Sequence, residues 1–284
     1  MDPVEELVSL ENTVPIVPGR EQETTDQMDW RQLLAEGHAA VGDEDYHRAL
    51  QISDKVAQAG EDARYYAAIL RGHVLLELGD ATAALSSFES VADPNVVDPD
   101  IDLARGIAHF HLVQFPEAVN ALYSSLRGRP DVAEAYYTLA LIAELQGTED
   151  EVELFRRARQ LEPERFAPKV QRSWQAFELC IEEAVADLPG AFQKFFENIP
   201  ILLMEVPHPD DLKRTSPPIP PTCLTLYIAE EDPASNEPLP SLLLFKKNFE
   251  RTYRTDEELI AGINRALYEE ARHLFDLSSG GRAD

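Results

Sequence analysis

Residues 269–273 read E-E-A-R-H and hold the side chains best suited to chemistry in this chain. In a helix, residues four apart share a face, so the Glu269 carboxylate and the His273 imidazole could approach one metal ion. Glu270 lies beside this pair, where a carboxylate can serve as a general base. A catalytic zinc ion needs three protein ligands and an open position for water, and this segment offers two donors.

The same segment also has an ordinary structural interpretation. Arg265 precedes Glu269 by four residues, and Arg272 follows it by three. Opposite charges at these spacings stabilise a solvated helix face. An isolated histidine such as His273 more often contacts solvent or a hydrogen-bond partner than a metal. The segment alone leaves both a metal site and a salt-bridged surface open.

The composition is that of an acidic chain with enough residues to bury a core. Of 284 residues, 52 are acidic and 25 are basic, and the formal net charge is −27. Nucleic-acid binding requires Lys and Arg to displace counterions from phosphates, so we expect no nucleic-acid partner. An acidic surface suits basic partners without identifying one.

The sequence also lacks the usual marks of membrane insertion or secretion. No apolar run approaches the roughly 20 residues of a membrane span. The first residues lack the basic and apolar regions of a secretion signal. Two cysteines, Cys180 and Cys223, are too few for a disulfide framework or a cysteine-based zinc site. We therefore expect a cytoplasmic protein with no membrane partner.

Small residues recur between residues 29 and 168 with a period of 34 or 35. A small residue midway along each of two antiparallel helices lets the backbones approach, and apolar residues at i, i+3 and i+4 fill the groove. Proline follows the second helix of the last two repeats and ends it. The pattern therefore predicts four helical hairpins. The residues that define it are Gly37, Ala49, Gly72, Ala84, Gly106, Ala118, Pro130, Ala140 and Pro163.

This order of Gly, aromatic, Ala and Pro resembles the tetratricopeptide repeat (TPR), whose period is about 34 residues. The resemblance covers residues 29–168 and implies a right-handed solenoid of stacked hairpins. It also implies a protein or peptide partner on the concave face, which the first helices line. TPR domains that bind C-terminal carboxylates use Lys, Arg and Asn there. The first helix here has Leu34 and His38 instead, so we do not expect that ligand. Alternatively, the hairpins serve only to support the C-terminal domain.

After residue 168 the pattern changes to a mixture of helices and strands. The segment "PILLMEVPH" is short, apolar and bounded by proline, which predicts a strand. The segment "CLTLYIAE" alternates like a second strand, and "LPSLLLFKKNFERTY" indicates a third strand that runs into a helix. The prolines between residues 207 and 240 exclude a helix there. Thr255 and Glu258 have the spacing of a capping box that opens a long closing helix.

The order helix, helix, strand, Pro-rich loop, strand, strand, helix is similar to that of small bacterial zincin-like metallopeptidase domains. The matching segments are "FELCIEEAVADLP", "ILLMEVPHPDDL", "TCLTLYIAE", "LPSLLLFKKNFE" and "ALYEEARHLFDLSS". This resemblance places Glu269 at the first His ligand, Glu270 at the general-base Glu and His273 at the second His. Asp276 replaces a glycine of the family. The acidic third ligand falls near Ser278 or Ser279, neither of which is a good zinc ligand.

The predicted fold is mainly α, with an N-terminal TPR α-solenoid of four hairpins and a small α+β zincin-like domain. The predicted boundaries are 1–28 for a disordered or loosely packed acidic leader, 29–168 for the repeats, 169–280 for the zincin-like domain and 281–284 for a tail.

We expect a bacterial-type, non-catalytic scaffold or adaptor that binds a protein partner and holds no cofactor, because catalytic zinc rarely tolerates two ligand losses. In this interpretation Glu269, Glu270 and His273 are remnants of a site. The alternative is a zinc-dependent metallopeptidase that uses a variant Glu-Glu-x-x-His site. The sequence predicts neither the oligomeric state nor the identity of the partner.

Overall fold

The structure is a computed structural model that describes residues 29–92, 98–168, 170–231 and 238–280. The leader predicted at 1–28 and the tail predicted at 281–284 lie outside these residues. The packing of the chain divides it into two compact units, Met1–Leu139 and Ala140–Asp284.

The first unit is built from helices that pair in sequence order. Helices α1 and α2, α3 and α4, and α5 and α6 each pack together across a short loop, which makes each pair an antiparallel hairpin. Helix α7 begins in the first unit and ends in the second, and α8 follows it. The bounds are α1 Trp30–Gly42, α2 Tyr46–Ala57, α3 Glu61–Glu77, α4 Ala81–Glu89, α5 Pro99–His111, α6 Phe115–Gly128, α7 Ala133–Gln146 and α8 Glu151–Leu161.

Each turn within a helix pair contains one residue in the left-handed backbone region. This residue reverses the chain, and in the first three pairs the second helix begins two positions later. Asp45 and Asp80 then cap α2 and α4 by accepting hydrogen bonds from backbone N–H groups. The left-handed residues, spaced 34 or 35 apart, are Glu44 (φ 58°), Gly79 (φ 81°), Val113 (φ 56°) and Gly147 (φ 64°).

The recurring glycines lie where helices approach most closely. A Cβ atom at Gly72 would lie 2.2 Å from the Phe88 ring, and one at Gly106 would lie 2.7 Å from the Leu122 side chain. A Cβ atom at Gly37 would lie 2.5 Å from Leu70 of the next hairpin. The recurring alanines are fully buried, whereas the two prolines are exposed just beyond the second helices: Ala49, Ala84, Ala118, Ala140, Pro130 and Pro163.

The second unit adds helices around a small sheet. Its described part contains three strands in the order β1-β3-β2, with β1 parallel and β2 antiparallel to β3. Beyond α8, the elements are α9 Trp174–Ala186, α10 Gly190–Phe196, β1 Ile201–Met204, α11 Pro209–Leu212, β2 Thr225–Glu231, β3 Pro238–Phe245, α12 Lys246–Thr252 and α13 Asp256–Gly280. The predicted fold class, mainly α with a small α+β part at the C-terminal end, is confirmed.

The core of this unit lies between one face of the sheet and the helices α9 and α13. Leu242 and Leu244 project from the central strand β3 into this core and are 1% and 0% exposed. Helix α13 contributes a row of side chains four residues apart, which is the spacing that keeps one helix face buried. The row consists of Leu259, Ile263, Leu267 and Ala271, all fully buried.

The start of α13 has the predicted capping box. The Thr255 hydroxyl accepts from the Glu258 backbone N–H at 3.1 Å, and the Glu258 carboxylate accepts from the Thr255 N–H at 3.1 Å. The hydrogen bonds that the Glu258 carboxylate accepts from the backbone N–H groups of Thr255 and Arg254 lower the pKa of this carboxyl.

One expectation about the Pro-rich segment is wrong. A short helix, α11, occupies Pro209–Leu212 within the stretch where proline content excluded helices. Pro209 is the first residue of this helix, where the missing N–H has no helical acceptor to lose and the fixed φ favours the helical conformation. Among the described residues, no helix combines the length and apolarity needed to cross a membrane.

Candidate functional site

The motif residues divide between two faces of α13. Ala271 lies on the buried row, and successive residues of a helix are about 100° apart. Glu269 and His273 therefore fall on the opposite side of the helix, and both side chains are exposed. Glu270 lies on the flank of the buried row and is half-buried. The two adjacent glutamates thus have different environments.

The sheet holds Glu270 through one hydroxyl group. Thr225, the first residue of β2, donates a hydrogen bond from Oγ1 to Glu270 Oε1 at 2.8 Å. Thr225 pairs with Leu244 of the central strand, so its position follows from the register of the sheet. Hydrogen bonds to a carboxylate are stronger than those between neutral groups, and this one directs Glu270 toward β2.

Cys223 lies two residues before Thr225 and close to the same carboxylate. Burial raises the pKa of the Cys223 thiol to about 12, and the negative charge of Glu270 contributes in the same direction. The group is therefore a neutral thiol at physiological pH. Thiolate is the form that attacks carbon and binds metal, so Cys223 is suited to neither role here.

The segment that leads into β2 is fixed by a buried amide. Asn248 of α12 donates from Nδ2 to the carbonyl oxygens of Pro221 at 2.9 Å and Cys223 at 2.7 Å. Its Oδ1 accepts from Arg251 Nη1 at 2.9 Å. Because all three bonds are made at once, the orientation of the amide is determined by its partners.

Within the described residues, the candidate donors do not come together as a group of three. Over the described residues, no three His, Cys, Asp or Glu side chains are grouped so that they could hold a metal ion. Glu269 and His273 supply two donors on a solvated face, and Glu270 is directed away toward Thr225. Asp276, Ser278 and Ser279 lie further along α13, and their side chains lie outside the described part. A two-donor surface pair lacks the third ligand that catalytic zinc requires.

The first helices of the first two repeats have histidines at equivalent positions. His38 of α1 and His73 of α3 each follow the recurring glycine by one residue. Burial, with a smaller contribution from His38, lowers the pKa of His73 to about 4. His73 is therefore neutral at physiological pH and packs edge-on against Phe88 at 5.8 Å. Leu34, one turn before His38, is half-buried against the core of the first two hairpins.

The contacts of Glu270 were missed from the sequence. Thr225 is 45 residues from Glu270, and nothing in the strand pattern marks its hydroxyl as a partner. Asn248 lies in a segment that matches the zincin-like pattern, and a polar residue between Lys247 and Phe249 could have been singled out on that basis.

The C-terminal part of the chain matches a known family model. The family model of the zincin-like metallopeptidases matches residues 196–280. No curated protein matches the chain significantly.

Two similar solved structures each cover about half of this chain. YrrB, described as a TPR protein with an unusual peptide-binding site, is 21% identical over 48% of this chain and 70% of its own, with a TM-score of 0.38. MamA is 16% identical over 57% of this chain and 86% of its own, with a TM-score of 0.40. The chain combines helical hairpins with a C-terminal segment that matches the zincin-like family model.

Proposed function

We propose that this protein is a non-catalytic scaffold or adaptor. Its TPR-like hairpins bind a protein or peptide partner, and its zincin-like domain lacks the ligand set for catalytic zinc. The observation that carries this proposal is the division of the motif residues on α13. Glu269 and His273 are exposed, while Glu270 is hydrogen-bonded to Thr225.

The chemistry of the donors supports this role. A zinc ion held by Glu269 and His273 alone would be exposed to solvent and would lack a third protein ligand. Such a pair does not suit a site that has to activate water at neutral pH.

A second candidate, a metallopeptidase with a variant site, is favoured by one observation. Thr225 fixes the carboxylate of Glu270, the residue that resemblance places at the general-base position. A fixed carboxylate is what general-base catalysis requires.

Peptide hydrolysis distinguishes the two candidates. The full chain is incubated with an unstructured peptide library and zinc, and cleavage is followed by mass spectrometry. We expect the same background cleavage for the wild type and for Glu270→Gln. A peptidase would cleave above background and lose about 100-fold or more of that rate in Glu270→Gln, which would support the second candidate.

The scaffold role is tested by capture of binding partners with the full chain as bait. His38→Glu changes a residue of α1, a first helix that we expect to line the partner-binding face. Glu89→Gln changes an exposed residue of the second helix α4. We expect His38→Glu to lose a partner that the wild type and Glu89→Gln both retain. Equal capture by all three proteins would place the partner elsewhere and contradict binding by the first helices.

A further inference from the structure

Helix α12 carries charged and polar residues that are buried or half-buried in the second unit. Lys246, Asn248 and Glu250 are 8%, 5% and 5% exposed. Lys246 pairs with Glu250 at 2.8 Å, and Glu250 also accepts from the backbone N–H of Arg172 at 2.7 Å. Buried charges are tolerated only when paired and hydrogen-bonded, so the bonds of this helix are constraints on its neighbours.

Two further charged residues of α12, Lys247 and Arg251, meet the end of α7. The side chain of Glu144 is 5% exposed and forms an ion pair with Arg251, whose side chain is 17% exposed. Lys247 reaches the other carboxylate oxygen of Glu144 at 3.2 Å. The Arg251 guanidinium also lies 5.8 Å from the ring centroid of Phe155 in α8. Glu144 and helix α12 lie in the same compact unit.

Arg251 connects Glu144 to the residues that precede β2. Its Nη1 donates to Asn248 Oδ1 at 2.9 Å, and Asn248 binds the carbonyls of Pro221 and Cys223. Two residues after Cys223, Thr225 binds Glu270 of the motif helix. A series of polar contacts, continued by the backbone from Cys223 to Thr225, therefore runs from α7 through α12 to α13.

We propose that this series, Glu144–Arg251–Asn248–(221–225)–Glu270, couples the end of α7 to the position of Glu270. Glu144 acts as a positioning residue. It holds the Arg251 guanidinium where Nη1 meets Asn248, and Asn248 in turn holds the backbone that places Thr225. A change at α7 that withdraws Glu144 loosens residues 221–225 and releases the Glu270 carboxylate.

Glu205 provides a matched control for this coupling. Lys247 binds Glu205 Oε2 at 3.2 Å as well as Glu144, and the Glu205 side chain is 59% exposed. Glu205 is thus a carboxylate beside the same helix that lies outside the series through Arg251 and Asn248. Removing its charge tests for a general electrostatic effect on α12.

The reactivity of the two cysteines distinguishes loosening of residues 221–225 from opening of the whole core. Cys223 belongs to the coupled segment, and Cys180 of α9 lies 7% exposed in the core between the sheet and the helices. In full-length protein, Cys180→Ala leaves Cys223 as the reporter, and Cys223→Ala leaves Cys180. The rate of modification by a maleimide reagent is measured for each reporter with and without Glu144→Gln.

We expect Glu144→Gln to accelerate modification of Cys223 about fivefold or more, the lower end of typical coupling between sites. Modification of Cys180 should stay within about twofold of its parent, and Glu205→Gln should leave Cys223 unaffected, because distant uncoupled changes are nearly additive. An unchanged rate at Cys223 overturns the coupling. Equal acceleration at both cysteines, or the same acceleration by Glu205→Gln, overturns it too, because the effect is then global or purely electrostatic.

Glu144→Asp gives a second reading if the Gln variant fails to fold. The shorter side chain keeps the negative charge near Lys247 and Arg251, but its carboxylate lies one methylene further from Arg251. We expect a smaller acceleration that is again confined to Cys223. Modification of Cys223 at the parental rate in this variant overturns the proposal.

Discussion

At the scale of single residues, the chemistry of α13 is decided by which side of the helix each side chain occupies. Glu269 and Glu270 are adjacent and identical, yet one is exposed and the other is hydrogen-bonded to the sheet. The buried row that ends at Ala271 sets this difference, because neighbouring positions in a helix differ by about 100°.

The bond from Thr225 to Glu270 should contribute to stability. Thr225→Val keeps the shape of the side chain and removes the donor, so we expect the free energy of unfolding in urea to fall by about 1 kcal/mol. Thr225→Ser keeps the hydroxyl and is expected to retain most of that stability. A Val variant as stable as the wild type would show that the bond contributes nothing.

The sequence predicts that Glu269 and His273 share one helix face, but not which partners the side chains of the motif contact. The spacing of Glu269 and His273 was enough to place them on one face, because helix geometry is local. The partner of Glu270 was not predictable, because Thr225 is 45 residues away and reaches it through the register of β2 on β3. Contacts of this kind depend on tertiary packing and leave no local pattern.

At the scale of elements, the repeat pattern predicted helical pairs because a period of 34 or 35 reflects one packing geometry repeated along the chain. The strands were also predictable, because each is a short run of apolar or alternating residues. The helix α11 was missed because proline content was weighed without its position, and Pro209 at the first helical residue is compatible with a helix.

The contact between Gly72 and Phe88 gives a test of helix packing in the second hairpin. Alanine favours helices over glycine by about 1 kcal/mol. A Cβ atom at Gly72 would nevertheless lie 2.2 Å from the buried ring of Phe88. We expect Gly72→Ala to lower the free energy of unfolding by about 1–3 kcal/mol.

A double-mutant cycle identifies the cause of that loss. Phe88→Leu makes room for the added methyl group, so Gly72→Ala should cost less in the Phe88→Leu background than in the wild type. Chemical denaturation of all four proteins measures the difference. The same cost in both backgrounds would mean that the ring contact is not responsible.

The left-handed turn residues give a prediction of opposite sign. Glu44 has φ 58° and is exposed, and a non-glycine residue in this region costs about 1–2 kcal/mol. Glycine relieves this cost but loses more entropy on folding, so Glu44→Gly should raise the free energy of unfolding by about 0.5–1 kcal/mol. Asp43→Gly is the control, because Asp43 has φ −84° and gains nothing from glycine. A gain of the same size in the control would rule out backbone strain as the cause.

At the scale of the whole molecule, two structural patterns share one chain with a net charge of −27. The helical hairpins provide a repeated surface, and residues 196–280 match the zincin-like family model. Among the described residues, no three potential metal ligands are grouped together. The proposed role as a scaffold is built on this combination, because a fold can persist without its chemistry.

The zinc content of the purified full-length protein tests this role most directly. The chain is equilibrated with excess zinc and dialysed, and bound metal is measured by mass spectrometry for the wild type, Glu269→Ala and His273→Ala. A non-catalytic domain predicts far less than one zinc per chain, with no difference among the three proteins. One zinc per chain in the wild type, lost in both variants, would contradict it.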